Sequence, residues 1–308
     1  MKFLRKASAL LITGVLLAAC GQQQADNKTA ASSAAAAGDT VGLAISTQNN
    51  PFFVSLKEGA QAQADKHGLK LVVVDANDDS GKQAAGIDDL LQQNIKVLLI
   101  NPTDSEAAAA SVNRAAKAGI PVISIDRSVK GADVVSHVAS DNVAGGKMAA
   151  EFIVGKLPEG GEMVELEGIP GSSAARERGE GFHQVIDGQQ KIKIVAKQPA
   201  DFDRTKGLTV MENILQSHPN VKAVFAHNDE MALGAVKALE AANKKDVIVV
   251  GFDATDDAQA AVKAGKMAAT VAQKPTKIGE IGVDAAKKVI AGETVEKSIP
   301  VELELIKQ

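Results

Sequence analysis

Short runs of apolar, β-branched residues, each followed by a longer Ala-rich and charged stretch, set the tightest limit on how this chain can fold. The first group comprises TVGLAIST (40–47), LKLVVVDA (69–76), IKVLLINP (95–102) and IPVISID (120–126). After residue 140 come EMVELEG (162–168), IKIVAK (192–197), VKAVFAHND (221–229) and DVIVVGFD (246–253). Runs that are apolar at nearly every position need cover on both faces, as strands of a parallel sheet do. The segments 55–67, 82–93, 104–118, 142–156, 204–217 and 229–243 repeat apolar residues at helical spacing and predict amphipathic helices. The pattern is that of an α/β protein with two sheets in tandem. Beyond the first forty residues about 270 remain, enough for two lobes of roughly 130 each.

The N-terminus reads differently. Lys2, Arg5 and Lys6 precede an apolar run, Ala9 to Leu17, that is too short to span a bilayer, and Leu17-Ala18-Ala19-Cys20 closes it. This is the layout of a secretory signal over 1–19, and its end resembles a bacterial lipobox, which makes Cys20 the expected lipid attachment site. The alternative is an ordinary signal peptide with an incidental cysteine. Cys20 is the only cysteine in the chain, so lipidation would leave no thiol for disulfides, metal or nucleophilic catalysis. Residues 20–38, the lipidated Cys and a polar, small-residue stretch, are expected to tether the folded part outside the cytoplasmic membrane. Loss of the signal also removes three positive charges and makes a chain of formal charge −4 more acidic, which argues against nonspecific nucleic-acid binding.

Polar residues gather where the apolar runs stop: Ser46 to Asn50, Asp75 to Asn77, Asn101 to Asp104, Asp126-Arg127, Ser140 to Asn142, Asn228 to Glu230 and Asp253. In an open parallel sheet, ligands bind beyond the carboxyl ends of the strands, so each cluster is placed to line a cleft. Helix capping is the simpler account of Asp104, Asp141 and Asp229. It does not account for Arg127 or for Phe52 and Phe53. The chain has no Trp or Tyr, and Phe52, Phe53, Phe202 and Phe252 fall at strand ends or in connecting stretches, where core filling does not require them. Flat rings can cover the C–H faces of a sugar, while carboxylates, amides and the guanidinium groups of Arg127 and Arg178 grip its hydroxyls.

From 40 to 308 the chain resembles the periplasmic binding proteins of bacterial sugar uptake. The resemblance is carried by STQNNPFFVSLKEGA (46–60), LLINPTDS (98–105), ISIDR (123–127), VASDN (138–142), GSSAARERGEGF (171–182), PADFDR (199–204), NDEMALGA (228–235) and VVGFDAT (249–255). It implies a two-lobed fold in which each lobe is a parallel sheet covered by helices on both faces and the chain crosses between lobes three times. The implied lobes are 39–140 with 274–301, and 141–273 with 302–308. It further implies sugar contacts from Asn50, Phe52, Phe53, Asn101, Asp126 and Arg127 in the first lobe. The second lobe would supply Arg178, Phe202, Asn228, Asp253 and Gln273. Phe53 and Phe202 would stack on the ring from opposite lobes, Phe52 would close one side, and Phe252 would pack behind Asp253. The implied ligand is D-ribose, with allose, galactose or a furanose signal as alternatives. The implied partners are an ABC permease in the membrane and a chemoreceptor, with the protein itself a monomer.

The other function classes fare worse. A glycine-rich phosphate loop ending in Lys-Ser or Lys-Thr is missing, so energy for transport would come from partner subunits. The five His are dispersed without nucleophile or metal-ligand spacing, so neither catalysis, a metal nor a cofactor is expected. His137 and His227 stand at strand ends and read as structural. A repressor would need a DNA-reading headpiece before residue 40, where the signal and tether stand instead.

Overall fold

The computed structural model describes residues 38–308; the signal, Cys20 and nearly all of the tether lie outside the described residues. The strands are β1 (Thr40–Ile45), β2 (Lys70–Asp75), β3 (Val97–Ile100), β4 (Val122–Ile125), β5 (Ser136–Ser140), β6 (Gly161–Glu167), β7 (Ile192–Pro199), β8 (Val221–Ala226), β9 (Ile248–Asp253), β10 (Ala269–Ala272), β11 (Ser298–Val301) and β12 (Glu304–Lys307). The helices are α1 (Pro51–Lys66), α2 (Ser80–Leu91), α3 (Ala108–Lys117), α4 (Asn142–Lys156), α5 (Ser173–Ile186), α6 (Arg204–Ser217), α7 (Asp229–Ala241), α8 (Asp256–Lys263) and α9 (Pro275–Ile290).

The strands form two six-stranded sheets, in the orders β11-β5-β4-β3-β1-β2 and β12-β10-β9-β8-β6-β7. The chain passes between them three times: after β5, after β10 and between β11 and β12. The two later passages lie side by side, where Lys274 Nζ donates to Glu302 Oε2 at 2.8 Å. All strand pairs are parallel except that of the C-terminal edge strand, β10–β12, which is antiparallel. An antiparallel edge strand is common on an otherwise parallel sheet, and here the chain reverses only by returning from the other lobe.

Each sheet is apolar on both faces, as its unbroken hydrophobic runs require. In the first lobe, β1, β3 and β4 present Leu43, Leu99 and Ile123 to one face, covered by α1 and α9, and Ala44, Leu98 and Ile100 to the other, covered by α2 and α3. In the second, Met163, Phe225 and Val250 meet α4 and α5 on one face, and Leu166, Val224 and Val249 meet α6, α7 and α8 on the other.

Every helix read from spacing exists, with ends shifted by a few residues; α1 begins at Pro51 rather than 55. Local periodicity does not mark α5, α8, α9 or the strands β5, β10, β11 and β12. Two local expectations are corrected. Asp229 is no helix cap: Asn228 caps α7, accepting from Met231 N–H at 3.0 Å, and Asp229 is fully buried against Thr255 and Thr270. Phe252 stands inside β9 as a fully buried core residue, so its place near a strand end did not exempt it from core filling. Asp141 does cap α4, accepting from Ala144 N–H at 2.9 Å.

Candidate functional site

The carboxyl ends of the strands in the two sheets face one another across a cleft. Asn50, Phe52, Phe53, Asp126, Arg127, Arg178, Phe202, Asn228, Asp253 and Gln273 converge there, joined by Ala174, around a small, tightly enclosed space. The cleft is closed over: Asp126, Arg127 and Arg178 are each only 3 % exposed.

Local chain chemistry sets each side chain. Asn50 caps α1, its Oδ1 accepting from Phe52 N–H at 2.9 Å, which puts Phe52 and Phe53 in the first turn, edge to face at 5.1 Å. Asp126 follows β4 with φ 62°, Asp253 ends β9 with φ 115°, and Phe202 precedes α6 with φ 60°. Non-glycine residues at such angles are strained and persist where surrounding structure holds them, most often at binding sites. For Phe202 the restraint is visible: its carbonyl accepts from Asn228 Nδ2 at 3.2 Å.

The charged groups are paired only loosely. Arg127 Nε lies 3.7 Å from Asp126 Oδ2, and Arg178 Nη1 lies 3.7 Å from Asp253 Oδ1. Both distances exceed hydrogen-bond range. Arg127 Nε and Gln273 Oε1 are buried without a protein partner. Arg178 also donates from Nε to Asn142 Oδ1 at 2.9 Å and from Nη1 to the His227 carbonyl at 2.6 Å. The Arg178 guanidinium also rests on the Phe252 ring at 3.8 Å, and that of Arg127 lies 5.0 Å from Phe53 and 5.3 Å from Phe202. Burial pushes the Asp253 carboxyl up to about 7, against the opposing pull of Arg178 and Gln273. Burial likewise raises Asp126, while Arg127, Arg178 and Asn101 hold it down.

Asn101 is the one expected contact residue that does not line the cavity. It stands behind Asp126, donating to Asp126 Oδ2 at 3.0 Å and to the Ile125 carbonyl at 3.3 Å, and accepting from Ser46 N–H at 3.1 Å. Sequence alone does not single out Ala174 or Glu165; Asn142 enters it only within the Ser140 to Asn142 cluster and His227 only as a structural histidine, here 3.0 Å from the buried Glu165. Asn142 sits in the quoted VASDN motif, and Ala174 in GSSAARERGEGF. Glu165 gives no sequence signal beyond a charge inside an apolar strand. His137, bonded to Ser124 Oγ at 2.8 Å, and His227 both lie away from the cavity lining.

Two α/β lobes joined by three chain passages, with a polar, aromatic-flanked cleft between them, define a hinged receptor for a small molecule. The chain belongs to the periplasmic binding protein family: residues 41–294 match the family described as periplasmic binding protein domain. It is 54% identical over 301 residues to the ribose import binding protein RbsB of Salmonella typhimurium, covering 98% of each chain. It is 57% identical over 272 residues to RbsB of Haemophilus influenzae, covering 88% of this chain and 92% of that one. A solved ABC transporter solute binding protein of Bacillus halodurans with bound myo-inositol superposes with a TM-score of 0.84 at 34% identity, covering 88% of this chain and 95% of that one.

Proposed function

We propose that this protein is the substrate-binding component of an ABC-type importer, capturing D-ribose between its lobes and delivering it to a membrane permease. The observation that carries the sugar reading is the set of loosely paired charges in the cleft. Two carboxylates and two guanidinium groups are buried 3.7 Å apart in each pair, and Arg127 Nε and Gln273 Oε1 are left without a protein partner, beside Phe53 and Phe202. A neutral polyol answers this chemistry, because each hydroxyl donates to a carboxylate and accepts from Arg. A charged ligand would leave one sign of buried charge uncompensated. Ribose is favoured over other sugars by the extended identity to ribose import proteins. Asn50, Phe52, Phe53, Asp126, Arg127, Arg178, Phe202, Asn228, Asp253 and Gln273 make the contacts, and Asn101 orients Asp126. The lobes are 39–140 with 274–301 and 141–273 with 302–308, a division supported by the membership of the two sheets.

The mechanism is capture, closure and release, with no bond made or broken. Calorimetric titration of sugar-stripped protein against ribose, allose, galactose and furanoses tests it. Ribose should bind tightest, and Arg178→Ala should weaken it by about 2–5 kcal/mol, which is tens- to thousands-fold in affinity. Arg114→Ala, at an exposed helix site, serves as the control. Tightest binding of another sugar overturns ribose; no sugar binding overturns the class.

The same reading makes the protein a lipoprotein anchored through Cys20, on the strength of the signal layout. Cys20→Ala should abolish labelling by a radioactive or clickable fatty acid; unchanged labelling excludes the site. Presentation of both lobes in one fixed relation gives a permease, and a chemoreceptor where one is present, a surface that exists only when sugar is bound.

A further inference from the structure

Outside the sugar cleft and the connecting passages, the lobes are joined by hydrogen bonds around Ser105 and Ser173. Ser173 N–H donates to Ser105 Oγ at 3.0 Å, Ser128 N–H donates to Ser173 Oγ at 2.9 Å, and Ser105 N–H donates to the Gly171 carbonyl at 3.0 Å. Ser105 and Ser128 follow strands of the first sheet, while Gly171 and Ser173 lie in the turn that opens α5 beside the second. All three bonds therefore cross between lobes. Ser105 and Ser173 are buried, and neither lines the cavity.

The N-terminus of α5 needs such a partner. Its first turn carries N–H groups without partners inside the helix. Ser172, in the capping position, makes no side-chain cap, and its hydroxyl is buried without a partner. The Ser173 N–H is satisfied instead by a hydroxyl from the opposite lobe. The fit is close: a Cβ on Gly171 would run into the Asp104 carboxylate across the gap. The latch is also tied to the sugar residues through the chain. Ser128 follows Arg127, and Ser173 precedes Ala174, with Arg178 one turn further along the same helix. A sugar that fixes Arg127 and Arg178 brings the two halves of the latch into register.

We propose that Ser105, Ser128 and Ser173 form an interlobe latch that sets how long the closed receptor holds its ligand. The inference rests on the ribose reading above. Ser173 is a positioning residue, and its loss should act on the lifetime of the closed state rather than on encounter. In stopped-flow measurements with D-ribose, Ser173→Ala and Ser105→Ala should each raise the dissociation rate and Kd about three- to tenfold, the worth of a neutral hydrogen bond. The association rate and the melting temperature of the sugar-free protein should stay at parental values. Ser173→Thr, which keeps the hydroxyl, should restore slow release.

Parental dissociation rates in both Ala variants overturn the latch. So does a fall in sugar-free melting temperature that accounts for the whole loss of affinity. Failure of the parent to bind ribose overturns the ribose reading instead, and the latch is then judged without ligand. Spin labels at Glu58→Cys and Glu212→Cys, one exposed site per lobe, in the full chain carrying Cys20→Ser report the lobe separation. Ser173→Ala should lengthen that distance distribution, and an unchanged distribution overturns the latch.

Discussion

Asp253 concentrates the site's electrostatic tension in one residue. It is buried, held at a φ of 115°, and bonded to Gln273 Nε2 at 2.8 Å, with Arg178 at 3.7 Å as its nearest cation. Asp126 and Glu230 add repulsion, and Asp229 lies close behind it. A carboxyl raised to about 7 in the folded protein keeps a proton that the unfolded chain surrenders near pH 4. Stability from this group is therefore fully present below about pH 4 and is lost as pH rises toward 7, reaching a cost on the order of a few kcal/mol. His137 and His227, both lowered by burial, run the other way over part of this range, so a single melting profile mixes the two signs. The difference between Asp253→Asn and the parent isolates the group. Without sugar, the variant's melting temperature should gain on the parent's between pH 4 and 7 and level off above. A flat difference would show that Asp253 ionises normally. The same substitution should weaken ribose binding at pH 8 if, as proposed, the carboxylate accepts from a sugar hydroxyl.

Among the elements, the helix pairs that carry the site approach closely enough to need glycine on both sides. In α4–α5, a Cβ on Gly146 would run into the Arg178 carbonyl and one on Gly181 into that of Val143. In α1–α9, Gly59 and Gly279 meet the Thr276 and Leu56 carbonyls in the same way. Overpacking costs about 1–3 kcal/mol, so Gly146→Ala should lower the melting temperature and, by displacing α5 and its Arg178, weaken ribose binding. Gly155→Ala, on the same helix with open space around it, should be neutral or slightly stabilising. Equal effects from the two would reduce the close approach to mere helix propensity. In the segment SAARERGEGFHQVI the large apolar residues, Phe182, Val185 and Ile186, all fall in its second half, so periodicity alone does not mark α5 as a helix. The strands β10, β11 and β12 have four residues each and take their place from long-range pairing rather than local pattern. The long apolar strands, by contrast, were legible because burial on both faces leaves little freedom in residue type. The cleft was legible in part. Phe52, Phe53, Arg127 and Arg178 stood out because nothing local required them, while Asn101 and Asp126 have similar polar surroundings in sequence and only packing separates the supporting residue from the lining one.

At the scale of the whole molecule, burial of the site makes motion obligatory. Asp126, Arg127 and Arg178 are almost completely shielded from solvent, so no sugar reaches them while the lobes stand as they do in this structure. The lobes must part, and the parts that connect them permit it. Three short passages join two separately cored sheets, and the apolar clusters lie within the lobes rather than between them. Opening therefore breaks polar contacts at Ser105, Ser128 and Ser173 and uncovers polar cleft side chains without disrupting a core. A ligand shifts such an equilibrium only by its differential affinity for the two states. A sugar touching Phe53 and Asp126 on one side and Arg178, Phe202 and Asp253 on the other has that differential, since the open form offers it one lobe at a time. Solution scattering should accordingly show a smaller radius of gyration with saturating ribose than without sugar. Hydrogen exchange should slow in both 46–53 and 199–204, the first-lobe and second-lobe segments that carry Phe53 and Phe202. Protection limited to one segment with an unchanged radius would mean that ribose binds a single lobe, and the hinged mechanism would fall even though binding stood.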